Sequence, residues 1–496
     1  MFPRSVVLLL LAAPALFARD PATWPATSPA TRPAPVDVSQ TMSLEQVEPI
    51  YRRELEGLWT PRNSKQVYDA HRLIEDYFDA AGAEPRRQVV RSIEATGLSP
   101  ALLGRLTRIH LRWPQVEGGV YYVNEKVGPH PVRYFVGVPR SYDRVRRTPL
   151  VVMLPTFHVY ETDPPPTEQQ LVDIHVHWIR QRLDADPNAL ILIPLMNPRE
   201  RWGPSLPGMA SVVQPILHAA GRFNVDPSRI HLFAHSIAAA SAWNIALHQP
   251  TYFASFAALA GGAGAEFQRL RVVNLWNVKP VVWHDADDPV IPVRNSRELV
   301  AILRRFRIDV DYEETKGHGH VPPAESVERA WQAMRQAARN LYPDEVRLQS
   351  NRRESMFNRA DWLQVYGPIQ PGGEQKAFLR TGTGPLVMNA NVHTATATID
   401  RVENAIDIRT DNVDSLRVYL NDQMVNLDRP VKLAVNGRVR FEGVVRPQID
   451  EMLKDQLYLG RGFRYYLAAI DVVAADTRIP ASQPQDPPAT SPRSSP

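Results

Sequence analysis

Three side chains stand in an order that could carry out nucleophilic catalysis: Ser236, then Asp288 52 residues on, then His320 another 32 residues on. A serine hydroxyl is a weak nucleophile at neutral pH. To attack a carbonyl it needs a base to take its proton, an acid to orient the base, and N–H donors for the oxyanion. Ser236 lies in Ala234-His235-Ser236-Ile237-Ala238, which has the rhythm of a Gly-x-Ser-x-Gly elbow with alanine at both glycine positions. The glycines of that motif relieve crowding between neighbouring backbones, and each alanine adds only a methyl. Asp288 falls in WHDADDPVIP, where Asp285 and Asp287 compete for the same role. His320 closes KGHGHVPP, where Gly317 and Gly319 permit a tight loop and His318 is the solvent-facing neighbour.

These residues need elements to hold them. RIHLFA reads as a strand and IAAASAWNIAL as a helix, so Ser236 sits at a strand–turn–helix junction. There its oxygen would project above a sheet, and the helix N-terminus would favour developing negative charge. VRYFVGVP, PLVVMLP, ALILIPL, KPVVWHDADD and VDYEETKG supply further strands, some with the unbroken apolar run of a buried parallel strand. Helical stretches at residues 209–223, 237–248 and 294–306 separate the later ones. Alternation of this kind predicts an α/β fold with a doubly wound, mostly parallel sheet.

Around this centre the period changes twice. Val47, Ile50, Tyr51, Leu55 and Leu58 form one helical stripe, and Val67, Ala70, Leu73, Ile74, Tyr77 and Phe78 form another. Two shorter helices are predicted near residues 89–93 and 102–109, giving a helical region over 43–115. The α/β domain is expected over 116–345. Short strands then dominate, with Asn436-Gly437 as a two-residue hairpin signal, in a β-rich domain over 346–478. No catalytic constellation is visible there, so its removal after about residue 351 should spare the site. A carbohydrate-targeting module is one reading of it.

Residues 1–18 read as a secretory signal peptide: one Arg, an apolar run too short to span a bilayer, and a small residue after it. Residues 19–42 and 479–496 are rich in Pro, Ala, Thr and Ser, and are expected as a linker and a disordered tail. Export to the periplasm or the extracellular space follows as an expectation. No later run of 18 apolar residues suggests a transmembrane segment. The 496-residue chain has no Cys, which excludes disulfides, thiol catalysis and thiolate metal sites. Of 57 basic residues only 7 are Lys, and they are interleaved with 53 acids to a net charge of +4. That scatter is not the basic stripe of a nucleic-acid reader.

The segment over residues 133–341 resembles the α/β-hydrolase superfamily. It is most similar to secreted esterases of the polyhydroxybutyrate-depolymerase and feruloyl-esterase type, with prolyl-oligopeptidase and dienelactone-hydrolase catalytic domains as relatives. The likeness rests on VPRSYDRVRRTPLVVMLP, FNVDPSRIHLFAHSIAAASAWNIALHQP, FASFAALAGG, DADDPVIPVRNSRELVAIL and GHGH. It implies the chain order Ser–Asp–His, with Asp288 as the acid and FASFAALAGG as the strand after the elbow helix. The family's His-Gly after the first central strand is Pro155-Thr156 here. Pro155 has no N–H, so the oxyanion donors implied are the backbone N–H groups of Ile237 and Phe157.

Three further residues, His235, Arg199 and Trp202, are candidate substrate contacts. His175 and His177 form a His-x-His pair without a third ligand, and are read as ordinary helix or loop residues rather than a metal site. The expectation is a cofactor-free serine hydrolase acting on a small or polymeric carboxylic ester through an acyl-enzyme. A serine peptidase on the same residues, or an inactive hydrolase-like binding scaffold, is the alternative.

Overall fold

A computed structural model of the chain describes residues 40–127, 130–156, 167–195, 202, 206–262, 271–352, 354–367 and 392–474. The expected signal peptide, most of the linker, the tail, Phe157 and Arg199 lie outside the described residues.

Four helices open the described chain: α1 (Leu44–Glu54), α2 (Ser64–Asp79), α3 (Ala83–Glu94) and α4 (Pro100–Leu106). They follow the apolar stripes read from the sequence. Ser43 starts α1 through a capping box with Gln46, satisfying N–H groups that have no partner inside the helix. Met42, at the end of the expected linker, is already buried, and its N–H donates to Leu111 O.

The apolar runs that follow become β1 (Gly119–Val127), β2 (His130–Val138), β3 (Thr148–Leu154), β4 (Leu190–Pro194), β5 (Val225–His235), β6 (Ser255–Leu259), β7 (Lys279–Asp285) and β8 (Asp311–Thr315). They form one sheet in the order β1-β2-β4-β3-β5-β6-β7-β8. The β1–β2 and β2–β4 pairs are antiparallel, and β4 through β8 are parallel. Every residue of β4 and β6 is buried, because helices cover both faces. On one face lie α6 (Leu206–Arg222), α7 (Ile237–His248) and α8 (Arg294–Arg305). On the other lie α5 (Glu168–Ala185) and α9 (Ala324–Gln336). β1 extends the antiparallel edge beyond the strands picked out from the sequence.

The remaining strands are β9 (Glu345–Ser350), β10 (Arg359–Ala360), β11 (Leu363–Tyr366), β12 (His393–Asp400), β13 (Ala405–Asp411), β14 (Ser415–Leu420), β15 (Val431–Val435), β16 (Arg438–Gly443) and β17 (Ala468–Val473), with helix α10 (Ile449–Leu459) before β17. They make a five-stranded sheet, β16-β15-β13-β12-β9, and a four-stranded one, β10-β11-β14-β17. Asn436 and Gly437 both take positive φ, 51° and 77°, as the two-residue β15–β16 turn requires. Strands β9 to β12 and helix α10 were not anticipated. HTATATID alternates small and polar residues, and α10 has a weak apolar stripe.

The sequence separates an N-terminal helical region from a C-terminal β region, but the structure packs them on one another. One continuous core contains Ile50, Tyr51 and Ile74 from the helices and Leu348, Val418 and Leu433 from the strands. Arg461 reaches back to Glu75 with contacts of 2.6 and 2.8 Å. Burial pushes Glu75 toward protonation, yet the Arg461 guanidinium holds it well below the ordinary glutamate range. Across the boundary to the α/β part, the buried Arg339 chelates Asp361, with one contact of 2.6 Å. Helices, β strands and α/β layers therefore depend on one another for burial of their apolar faces.

Candidate active site

Ser236 occupies the one-residue turn between β5 and α7 with φ 61° and ψ −132°. Few non-glycine residues adopt that region, and it persists only where surrounding contacts hold it. Here the Ser236 N–H donates to Leu259 O at 2.8 Å, and its carbonyl accepts from Ala239 N at 2.9 Å. The two alanines that replace the motif's glycines are fully accommodated. Ala234 and Ala238 are 1% and 0% exposed, and their methyls join the core under α7. The close approach is made instead by Gly261, just after β6. A Cβ there would lie 2.4 Å from Ser236 O and 2.8 Å from the Ala239 Cβ. Gly261 was not among the residues expected to shape the site. Its only signal was a Gly-Gly following an unbroken apolar strand.

His320 lies on the loop after β8, where Gly317 and Gly319 take φ of 86° and 66°. Its Nε2 is 2.7 Å from Ser236 Oγ, and its Nδ1 is 2.8 Å from Asp288 Oδ2. The structure thus brings Ser236, His320 and Asp288 together. The Asp288 side chain is fully buried and its Oδ1 accepts the N–H groups of Val290 and Ile291 at 2.8 and 3.0 Å. Burial pushes its carboxyl up, but hydrogen bonds from His284, His320 and the Ile291 backbone outweigh burial and hold it well below the usual carboxylate range. A carboxylate that stays ionised suits a residue that must orient an imidazole and stabilise its charged form.

The competing acids have other tasks. Asp285 Oδ1 accepts from Asp287 N at 2.9 Å, while Oδ2 accepts from Thr315 Oγ1 at 2.8 Å and from His318 N at 3.1 Å. It ties the acid loop to the histidine loop. Asp287 and His318 are exposed.

His284, not among the expected site residues, sits behind the acid. Its Nε2 is 3.2 Å from Asp288 Oδ2 and 2.9 Å from Ile291 O, and its Nδ1 is 2.7 Å from Ser296 Oγ. The only signal for it was its place four residues before Asp288, at the end of β7.

Two of the expected substrate contacts are buried in the structure. His235 is 6% exposed, and its Nε2–H donates to the His320 carbonyl at 2.9 Å. Burial lowers its pKa to about 4, so at neutral pH it is an uncharged donor. It braces the histidine loop through that bond. Trp202 is 1% exposed, and its indole N–H donates to Pro155 O at 3.0 Å. A buried indole needs such a partner, and here the bond pins the chain just after β3. Arg199, the third, lies outside the described residues.

Of the two expected oxyanion donors, Ile237 is the first residue of α7, so its N–H has no intrahelical acceptor. Phe157 lies outside the described residues. His175 packs in α5, stacked on Phe135 at 5.4 Å with its Nδ1 against Leu171 O. Among the described residues there is no cluster of three potential metal ligands, and no helix long and apolar enough to cross a membrane.

The fold is thus a mixed α/β one with a parallel-rich sheet covered on both faces, Ser236 on the turn after β5 and His320 on the loop after β8. Solved structures similar to this chain include a thermostable esterase (21% identity, TM-score 0.38, covering 44% of this chain and 63% of that one). A puromycin-hydrolyzing peptidase of Mycobacterium tuberculosis is similar over 44% of this chain and 39% of its own length (15% identity, TM-score 0.33). A ferulic acid esterase of Anaeromyces mucronatus, in complex with ferulic acid, is similar over 45% of this chain and 90% of its own (14% identity, TM-score 0.33). The chain spans less than two-thirds of the length of the esterase and the peptidase. No protein-family model matches the chain, and no curated protein does.

Proposed function

We propose that the protein is an exported serine hydrolase that cleaves a carboxylic ester, small or polymeric, through an acyl-enzyme. The observation that carries the reading is the unbroken hydrogen-bond chain from Ser236 Oγ through His320 to the buried, ionised Asp288. In the proposed sequence His320 Nε2 takes the Ser236 proton as Oγ attacks the ester carbonyl. The oxyanion receives the N–H of Ile237 at the start of α7, where the helix dipole also favours negative charge. His320 returns the proton to the leaving alcohol. A water then attacks the acyl-enzyme with His320 as base, freeing the acid and restoring Ser236. Asp288 remains ionised, and the reaction as drawn calls on no cofactor. Export rests on the sequence of residues 1–18, and the ester on the resemblance of the motif segments.

The test is Ser236→Ala. The change removes one oxygen from a turn held by backbone bonds, so stability should move by no more than about 1 kcal/mol. Labelling by a fluorophosphonate and hydrolysis of p-nitrophenyl acetate should both disappear, with a loss of several orders of magnitude in turnover. Matched ester and anilide substrates separate an esterase from a peptidase. A parent protein that neither labels nor turns over any of these would be a hydrolase-shaped scaffold.

A further inference from the structure

Two imidazoles, not one, converge on Asp288. Its Oδ2 lies 2.8 Å from His320 Nδ1 and 3.2 Å from His284 Nε2, while Oδ1 is taken by the N–H groups of Val290 and Ile291. Among the described residues only these two histidines reach Oδ2. His320 moves protons in the proposed reaction. His284 has no part in it so far, yet it is fully buried and bonded through both ring nitrogens.

Its neighbours decide where the His284 proton sits. Nε2 faces two acceptors, Asp288 Oδ2 at 3.2 Å and the Ile291 carbonyl at 2.9 Å, so Nε2 carries hydrogen. Nδ1 faces the Ser296 hydroxyl at 2.7 Å, in the first turn of α8. That hydroxyl has no other hydrogen-bond partner among the described residues, so its proton goes to Nδ1 and the ring is the neutral Nε2–H form. A chain of bonds thus runs from α8 to the nucleophile: Ser296 O–H to His284 Nδ1, His284 Nε2–H to Asp288 Oδ2, His320 Nδ1–H to the same oxygen, and Ser236 Oγ at His320 Nε2. Ser296, His284 and the Asp288 side chain are all 0% exposed, and a bond to a carboxylate out of water is strong and directional. Burial pushes the Asp288 carboxyl up, and the His284 bond is foremost among those that hold it down. The other ionisable groups nearby are engaged elsewhere. Glu314, opposite His284 on β8, is matched by Arg297 of α8 at 2.6 Å. Asp285 holds Thr315 and the His318 N–H, and the buried His235 on β5 is uncharged at neutral pH.

We propose that His284 is a positioning residue for the reaction, with Ser296 setting its tautomer. Its Nε2–H holds Asp288 Oδ2 in place, so His320 meets the carboxylate in one orientation. The same bond takes up part of the carboxylate's charge, which leaves His320 a weaker base and free to accept the Ser236 proton at lower pH. This role rests on the serine-hydrolase reading, but His284 itself touches neither Ser236 nor His320.

The experiment compares variants of the full chain. His284→Leu fills the space without a donor, His284→Gln keeps an N–H near the place of Nε2, and Ser296→Ala removes the hydroxyl that selects the tautomer. In His284→Leu, the plateau kcat/KM on p-nitrophenyl acetate should fall about 10- to 100-fold, the worth of a hydrogen bond to a charged group. The acid limb of its pH profile should move up by about 0.5–1 pH, because a carboxylate with fewer donors holds the His320 proton more tightly. His284→Gln should return both toward the parent, and Ser296→Ala should move both the same way by less. A residue that only fills space would leave the acid limb where it is. NMR of the histidine ring nitrogens reads the same events without turnover: His284 protonated at Nε2 in the parent, and His320 taking up its proton at higher pH in His284→Leu. The role of His284 is overturned if its Nδ1 carries the proton in the parent, if a folded His284→Leu leaves the acid limb and the His320 titration unmoved, or if Gln is no better than Leu. Should circular dichroism show His284→Leu unfolded, the parent ring signals and the Ser296→Ala profile decide. A parent that shows the His284 bond and the His320 change but neither labels with a fluorophosphonate nor hydrolyses any ester would instead overturn the serine-hydrolase reading.

Discussion

Replacing Gly261 with Ala tests whether the elbow works because of the glycine after β6. The added methyl would sit 2.4 Å from Ser236 O and 2.8 Å from the Ala239 Cβ. Ordinary contacts of this kind are about 3.5 Å, so the turn must retreat by about 1 Å. The crowded atom is backbone, and the same carbonyl accepts the Ala239 N–H that begins α7, so no flexible side chain can absorb the shift. Overpacking of this sort costs about 1–3 kcal/mol. The larger effect should fall on the reaction, because Ser236 Oγ is placed 2.7 Å from His320 Nε2 and a 1 Å misplacement of a reacting group lowers rate about 100-fold. We expect kcat/KM on p-nitrophenyl acetate and the fluorophosphonate labelling rate to fall together by that factor, with a lower urea midpoint. A counterpart puts Gly at Ala234 and Ala238. Those methyls are buried, so the variant should keep parental activity and lose about 1 kcal/mol per site to missing packing and to the greater chain freedom of glycine in a strand or helix. The reasoning is refuted if Gly261→Ala labels at the parent rate with an unchanged midpoint, or if the double-glycine variant gains substantially in rate.

Asp288→Asn should lower turnover about 10⁴-fold, whereas the exposed Asp287→Asn should leave it within about twofold; a crippling effect of Asp287→Asn in steady-state assays would move the acid by one residue. Arg461→Ala strands the buried Glu75 carboxylate and should cost about 3–5 kcal/mol at pH 7 by urea unfolding. Because Glu75 is depressed in the folded state, its stabilisation is present above its unfolded value of about 4.3 and is lost as pH falls below that. The parent should therefore lose stability between about pH 5 and 2, and the Arg461→Ala protein should lose less, a difference that urea midpoints across that range would show. Truncation after residue 351 removes no member of the Ser236–His320–Asp288 chain, but it uncovers the apolar faces of α1 to α4 and severs Arg339–Asp361. We expect the truncated chain to lose cooperative unfolding by circular dichroism, against the expectation drawn from residue order alone.

Much of the site was readable along the chain, because periodicity and turn chemistry reside in neighbouring residues. The apolar RIHLFA, one serine and an alanine-rich run determine a strand, a turn and a helix with Ser236 between them, and α7 begins at Ile237 as expected. Asn436-Gly437 determines its hairpin for the same reason, since both residues tolerate positive φ. The Ser–Asp–His order was legible too. The residue pattern left three carboxylates within four positions, and the resemblance selected Asp288. Which one meets His320 depends on how the loop's backbone N–H groups are shared, and only the folded loop shows Asp285 taken by Thr315 and His318.

What tertiary structure alone decided involves partners far apart in sequence. Gly261 is 25 residues from the turn it makes room for, and Trp202 reaches Pro155 across 47. Glu75 and Arg461 are 386 positions apart, so no local pattern announces that they will meet. The helices of residues 44–106 and the strands after residue 345 each have an apolar face that neither can bury alone. Periodicity shows that such a face exists. Which face covers it is settled by shape and volume complementarity once the chain has closed on itself.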